Sequence, residues 1–65
     1  MCLSRIYIKN TDRDSLVVDN VASVINNGGV ITVSTLFGKE KNFEGYYINE
    51  VNLVENYIIL KLKGG

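Results

Sequence analysis

The sequence predicts an all-β fold, a small SH3-like barrel of five to seven short antiparallel strands that associates as a dimer. Three observations carry this prediction. Apolar and polar residues alternate at a period of two, clusters of turn formers recur at close spacing, and neither proline nor a long helix-period run interrupts the pattern. Short strands without helical cover protect their edges by closing on themselves, which favours a barrel or compact sandwich. The dimer follows from length. A chain of 65 residues is one domain, residues 1–65, and one this short buries only about 60% of its unfolded surface. A single cysteine closes no internal disulfide and no zinc-ligand set is present, so a second copy is the expected source of added stability.

The elements follow in order. Met1-Cys2-Leu3-Ser4-Arg5-Ile6-Tyr7-Ile8 opens the chain as a half-buried strand, with Cys2, Ser4, Ile6 and Ile8 on one face and Leu3, Arg5, Tyr7 and Lys9 on the other. Asn10 to Asp14 is rich in residues that bond their own backbone and so predicts a turn into a second strand, Ser15 to Val18. Asp19-Asn20 predicts a further break. The segment after it fits helical spacing at Val21, Val24 and Ile25 and strand alternation at Val21, Ser23 and Ile25; β-branching and shortness favour the strand.

Asn26-Asn27-Gly28-Gly29 tolerates positive φ and predicts a tight hairpin, after which Val30 to Leu36 is the clearest strand. Phe37 to Asn42 reads as a polar loop and Phe43-Glu44-Gly45 as a short edge strand. Tyr46 to Leu53 alternates again, with Tyr47, Asn49 and Val51 on one side and Tyr46, Ile48, Glu50 and Asn52 on the other. Glu55-Asn56 is a turn, and Tyr57 to Leu62 is the last strand.

Seven Lys plus Arg balance seven Asp plus Glu. No net positive field gathers phosphates, so nucleic acid is an unlikely partner. Ser4, Arg5, Lys9 and Asn10 interrupt any apolar leader, and no run approaches the roughly eighteen apolar residues of a membrane span. The expectation is a cytoplasmic protein with a reduced thiol and no membrane partner.

The residue inventory argues against an enzyme. With no histidine there is no general base near neutrality, and the carboxylates are scattered over turns and strand faces. Asp12-Arg13-Asp14 lacks the remaining ligands of a calcium loop and reads as turn chemistry. Phe37, Phe43, Tyr46, Tyr47 and Tyr57, with Lys39 and Lys41 nearby, fit either a base-stacking platform or the core or dimer interface of a small domain, and neutrality favours core or dimer interface. A metal-free interaction or RNA module is therefore an alternative reading. Another is a sulfur carrier working through a C-terminal Gly64-Gly65 tail, which needs a β-grasp helix for which only Asn20 to Asn26 is available.

Cys2 is the one side chain here that is both a strong nucleophile and a soft metal ligand. If Met1 is removed, Cys2 carries a free amine beside its thiolate, a five-membered chelate; if Met1 stays, its amine and thioether and the Cys2 amide nitrogen lie within reach of the same ion. One such set holds a metal weakly. Two chains about a two-fold axis bring two Cys2 thiolates together and complete a four-coordinate site, with one metal per dimer. Thiolate and main-chain nitrogen in a plane suit Ni(II) and also Cu(II), whereas zinc prefers a tetrahedron.

Met1-Cys2-Leu3-Ser4 before an apolar strand, Asp19-Asn20-Val21, Val33-Ser34-Thr35-Leu36-Phe37-Gly38, Phe43-Glu44-Gly45 and Ile48 to Leu53 resemble the CooT family of small nickel-binding proteins. The likeness runs over essentially the whole chain, and its most specific element is Met-Cys joined to the Thr-Leu-Phe segment. The resemblance implies a cytoplasmic homodimer that binds Ni(II) through the cysteine matching Cys2, with Met1 and Leu3 as backbone ligands or packing. It also implies a metallochaperone or nickel-storage role in delivery to a nickel enzyme such as carbon monoxide dehydrogenase.

Overall fold

The structure, a computed structural model, describes residues 3–64. The chain forms six strands: β1 Ser4–Ile8, β2 Leu16–Asn27, β3 Val30–Thr35, β4 Glu40–Glu44, β5 Tyr46–Asn52 and β6 Tyr57–Leu62. Among the described residues the one helical element is a single 3-10 turn, Arg13–Ser15. Asn10 builds that turn: its Oδ1 accepts from the Asp12 N–H at 2.9 Å and from the Ser15 hydroxyl at 3.0 Å. The all-β prediction therefore holds, and Asn10 to Asp14 is turn chemistry. The segment 20–26, which fitted both patterns, is strand, so among the described residues no β-grasp helix crosses this sheet.

All six strands lie in one sheet, in the order β4-β3-β2-β1-β6-β5. Four of its five pairings are antiparallel, but β1 and β6 run parallel, with Ile6 opposite Ile58 and Ile8 opposite Leu60. The expected all-antiparallel arrangement is corrected there. The cause is the connection at Gly45. Only that residue, at φ 78, separates β4 from β5, so the chain leaves one edge of the sheet and enters the other without reversing. The sheet is not closed by a hydrogen-bonded ladder between β4 and β5.

It is nonetheless strongly coiled. Across the Gly45 corner the Phe43 and Tyr46 rings meet edge to face, 5.8 Å between centroids, and Gly45 O accepts from the Lys63 N–H at 2.7 Å. The bending is built into β2. Its pairing with β1 slips between Ser4 and Tyr7, its pairing with β3 slips between Val21 and Ser23, and Asn20 takes φ 56. Such bulges bend a strand and increase its twist. The break expected at Asp19-Asn20 is thus a kink inside one twelve-residue strand.

The concave face buries Ile6, Val21, Ile31, Val33 and Leu60, with Ile8, Val18, Val24, Phe43, Tyr46 and Ile58 packed around them. Fully burying one such aliphatic chain contributes about 1.5–3 kcal/mol. Two further differences are local. Glu40 to Asn42, expected in a loop, pairs with Thr32 to Ser34 as the start of β4, its polar side chains suiting an edge. In β5 a bulge between Ile48 and Glu50 resets the alternation. Val51 consequently stands opposite Ile58 and shares a face with Ile48, while Glu50 joins Tyr47 and Asn52.

Candidate functional site

β1 is an interior strand, held by β2 on one side and β6 on the other. Leu3, half-buried, leads into it. Ser4 pairs with Val21, and the Arg5 N–H donates to Asn56 O at 3.1 Å. The start of β1 therefore lies beside the β5–β6 turn. Of the sequence-predicted ligands Leu3 is described; Met1 and Cys2 lie outside the described residues. No three His, Cys, Asp or Glu side chains converge to hold a metal among the described residues.

Side-chain hydrogen bonds brace that turn. Asn52 Oδ1 accepts from the N–H groups of Val54 at 3.0 Å and Glu55 at 2.8 Å, and Asn56 takes φ 58. The Tyr57 hydroxyl donates to Glu50 Oε2 at 2.8 Å, while Asn52 Nδ2 donates to the same hydroxyl at 3.4 Å. The bond to Glu50 favours the neutral phenol and raises the Tyr57 pKa, partly opposed by Asn52. Tyr57 also meets Tyr7 edge to face at 5.9 Å, so the turn, β6 and β1 are tied together. At its tip Leu53 and Val54 are 82% and 91% exposed.

The aromatic residues do not assemble into one platform. Phe43 and Tyr46 pair at the Gly45 corner, Tyr57 pairs with Tyr7 on the opposite face of the sheet, and Phe37 projects from the β3–β4 turn. Gly64 takes φ 62 beyond β6, and Gly65 lies outside the described residues.

The structure adds a feature that sequence reasoning missed. Val17, Val18 and Asp19 of β2 face Thr35, Lys39, Glu40 and Lys41 across a cleft of about 390 Å³. It opens where β2 continues past the end of β3. Nothing in the local pattern signals it, because it depends on the relative lengths of two paired strands.

The fold and its N-terminal approach define a small protein built on one coiled six-stranded sheet. No curated protein matches the chain. A crystal structure of a candidate CooT from Carboxydothermus hydrogenoformans matches it with a TM-score of 0.80 and 24% identity, over 95% of this chain and 98% of that one. That likeness establishes the fold. The sequence profile described as "CO dehydrogenase accessory protein CooT" matches residues 1–61, and the chain belongs to the CooT family. No helix among the described residues is long and apolar enough to cross a membrane.

Proposed function

We propose that this protein takes part in the maturation of carbon monoxide dehydrogenase as a non-catalytic carrier or store of Ni(II). In this reading it works in the cytoplasm as a homodimer of SH3-like subunits. One nickel ion, the cargo, is held between two copies by their Cys2 thiolates and by main-chain nitrogens around Met1, Cys2 and Leu3. The observation that carries the proposal is family membership over residues 1–61, a span that includes the chain's single cysteine. Thiolate and main-chain nitrogen together favour late first-row ions.

The local structure supports the reading in two ways. β1, which begins at Ser4, is an interior strand paired on both sides. Beside it, exposed Leu53 and Val54 form an apolar tip suited to meeting a second copy.

Nickel titration tests the proposal. Ni(II) added to the full chain gives thiolate-to-metal charge-transfer absorption that saturates at half an equivalent per chain, and Cys2→Ser removes it while leaving far-UV circular dichroism unchanged. Because thiolate and nitrogen ligands shed protons to bind, affinity falls as pH is lowered. Saturation at a full equivalent, or unchanged binding by Cys2→Ser, overturns the shared site.

A further inference from the structure

We propose that the cleft between β2 and β4 binds an extended peptide of a partner protein, which adds as a short strand along Val17–Asp19 and presents carboxylate side chains to Lys39 and Lys41. This stands apart from the nickel reading and uses none of its residues.

The first support is an interrupted ladder. β3 pairs with β2 from Asn27 to Val21, and the last bond on that side runs from the Leu36 N–H to Asn20 O at 2.9 Å. β2 continues back to Leu16, still paired with β1 on its other side. Among the described residues no strand pairs with Leu16 to Asp19 on the side β3 has left. An interior strand thereby becomes an edge for four residues. Alternate residues of such an edge direct both N–H and C=O outward, which is what an added strand uses.

The second support is space. That length of β2 forms one wall of the cleft, whose volume of about 390 Å³ falls within the roughly 300–1,000 Å³ of small-ligand sites. Four extended residues span about 13 Å. The site therefore suits a short segment of chain.

The third support is charge. Lys39 and Lys41 are two residues apart on the opposite wall, with Glu40 between them also lining the cleft. The Asp19 carboxylate is turned onto its own backbone, accepting from the Asn20 N–H at 2.8 Å. An added strand alternates, so carboxylates two positions apart meet the two ammonium groups while the residue between them falls on the opposite face, that of Val17. Leu36 and Phe37, 49% and 79% exposed, lie in the adjoining β3–β4 turn.

The test uses the full chain, labelled with nitrogen-15, and a set of acetylated and amidated hexapeptides. Each carries two glutamates two positions apart, with valine, isoleucine or threonine at the other positions. Binding is expected to be saturable for members of the set, with amide shifts concentrated at Val17 to Asp19 and Leu36 to Lys41 and slowed hydrogen exchange along Val17 to Asp19. The Lys39→Gln/Lys41→Gln double variant, both positions being exposed, weakens binding about three- to tenfold. The same peptide N-methylated at alternate residues, which retains its side chains but loses its main-chain donors, does not bind. Absence of saturable binding by any member, shifts confined to other surfaces, equal binding by the N-methylated peptide, or the same shifts from free glutamate would each overturn the proposal.

Discussion

Tyr57 and Glu50 are joined across the β5–β6 pair by a 2.8 Å hydrogen bond, the phenol donating to Oε2. Both residues sit on the convex face, on the two strands that flank the exposed Leu53–Val54 tip. The bond holds the phenol proton, so the Tyr57 pKa in the folded protein lies above its ordinary value of 10.0. A raised pKa on an acid that is neutral when protonated means that the stabilisation is fully present below the unfolded pKa. It is lost as pH rises through the folded value. The difference in alkaline absorbance titration between wild type and Tyr57→Phe is expected to have a midpoint above 10.0, and Glu50→Ala lowers that midpoint. A difference midpoint at or below 10.0 removes this account of the turn.

Leu60 is fully buried at the centre of the concave face, opposite Ile8 on β1 and Ile48 on β5. Leu60→Ala is expected to cost about 2–5 kcal/mol through lost transfer energy and the cavity left behind. In urea denaturation this appears as a lower midpoint at unchanged slope. Leu62→Ala, at a side chain 61% exposed, shifts the midpoint far less.

Gly45 joins the two edges of the sheet at φ 78, and a Cβ built on it meets no atom within 4 Å. Substitution there is therefore a test of backbone conformation free of steric contact. Gly45→Ala is expected to destabilise by about 1–2 kcal/mol, and Gly45→Asn by less, because asparagine adopts the left-handed region more readily. Equal midpoints for glycine, alanine and asparagine would contradict this reading of the corner.

Leu53 and Val54 are the most exposed large apolar residues, beside the end of β1. If two copies meet there, Leu53→Ser/Val54→Ser lowers the average mass in light scattering toward that of a single chain and weakens nickel binding together with it. A double variant that remains dimeric places the association on another surface.

Much of this architecture was legible in the sequence. Alternation found β1, β3 and β6, and Asn27-Gly28-Gly29 announced the hairpin between β2 and β3, where Gly28 and Gly29 take φ 59 and 92. What escaped were features in which period two breaks without a distinctive residue. Asp19-Asn20 carries turn chemistry, yet β1 and β3 continue to pair around it and convert the break into a bend. Asn49 creates a bulge that returns Val51 to the concave side, and no residue near it marks the slip. The start of β4 was obscured because Glu40-Lys41-Asn42 is polar on both faces, as an edge strand allows. The cleft beside Val17 follows from β2 continuing past the end of β3, which is a property of the assembled sheet. For the candidate metal ligands, sequence chemistry and family membership remain the source of the assignment to Cys2, and the structure contributes the framework that Leu3 and β1 provide.

The side-by-side pairing of β1 with β6 also has a kinetic consequence. Arg5 meets Tyr57 and Ile8 meets Leu60 from opposite ends of the chain. Contacts this remote along the chain slow folding, since the entropy of closing so large a loop is spent before the contact forms. On the ribosome the domain's interior therefore stays incomplete until β6 has emerged from the exit tunnel, and a nascent chain halted before Tyr57 leaves Ile6 without its neighbour Ile58.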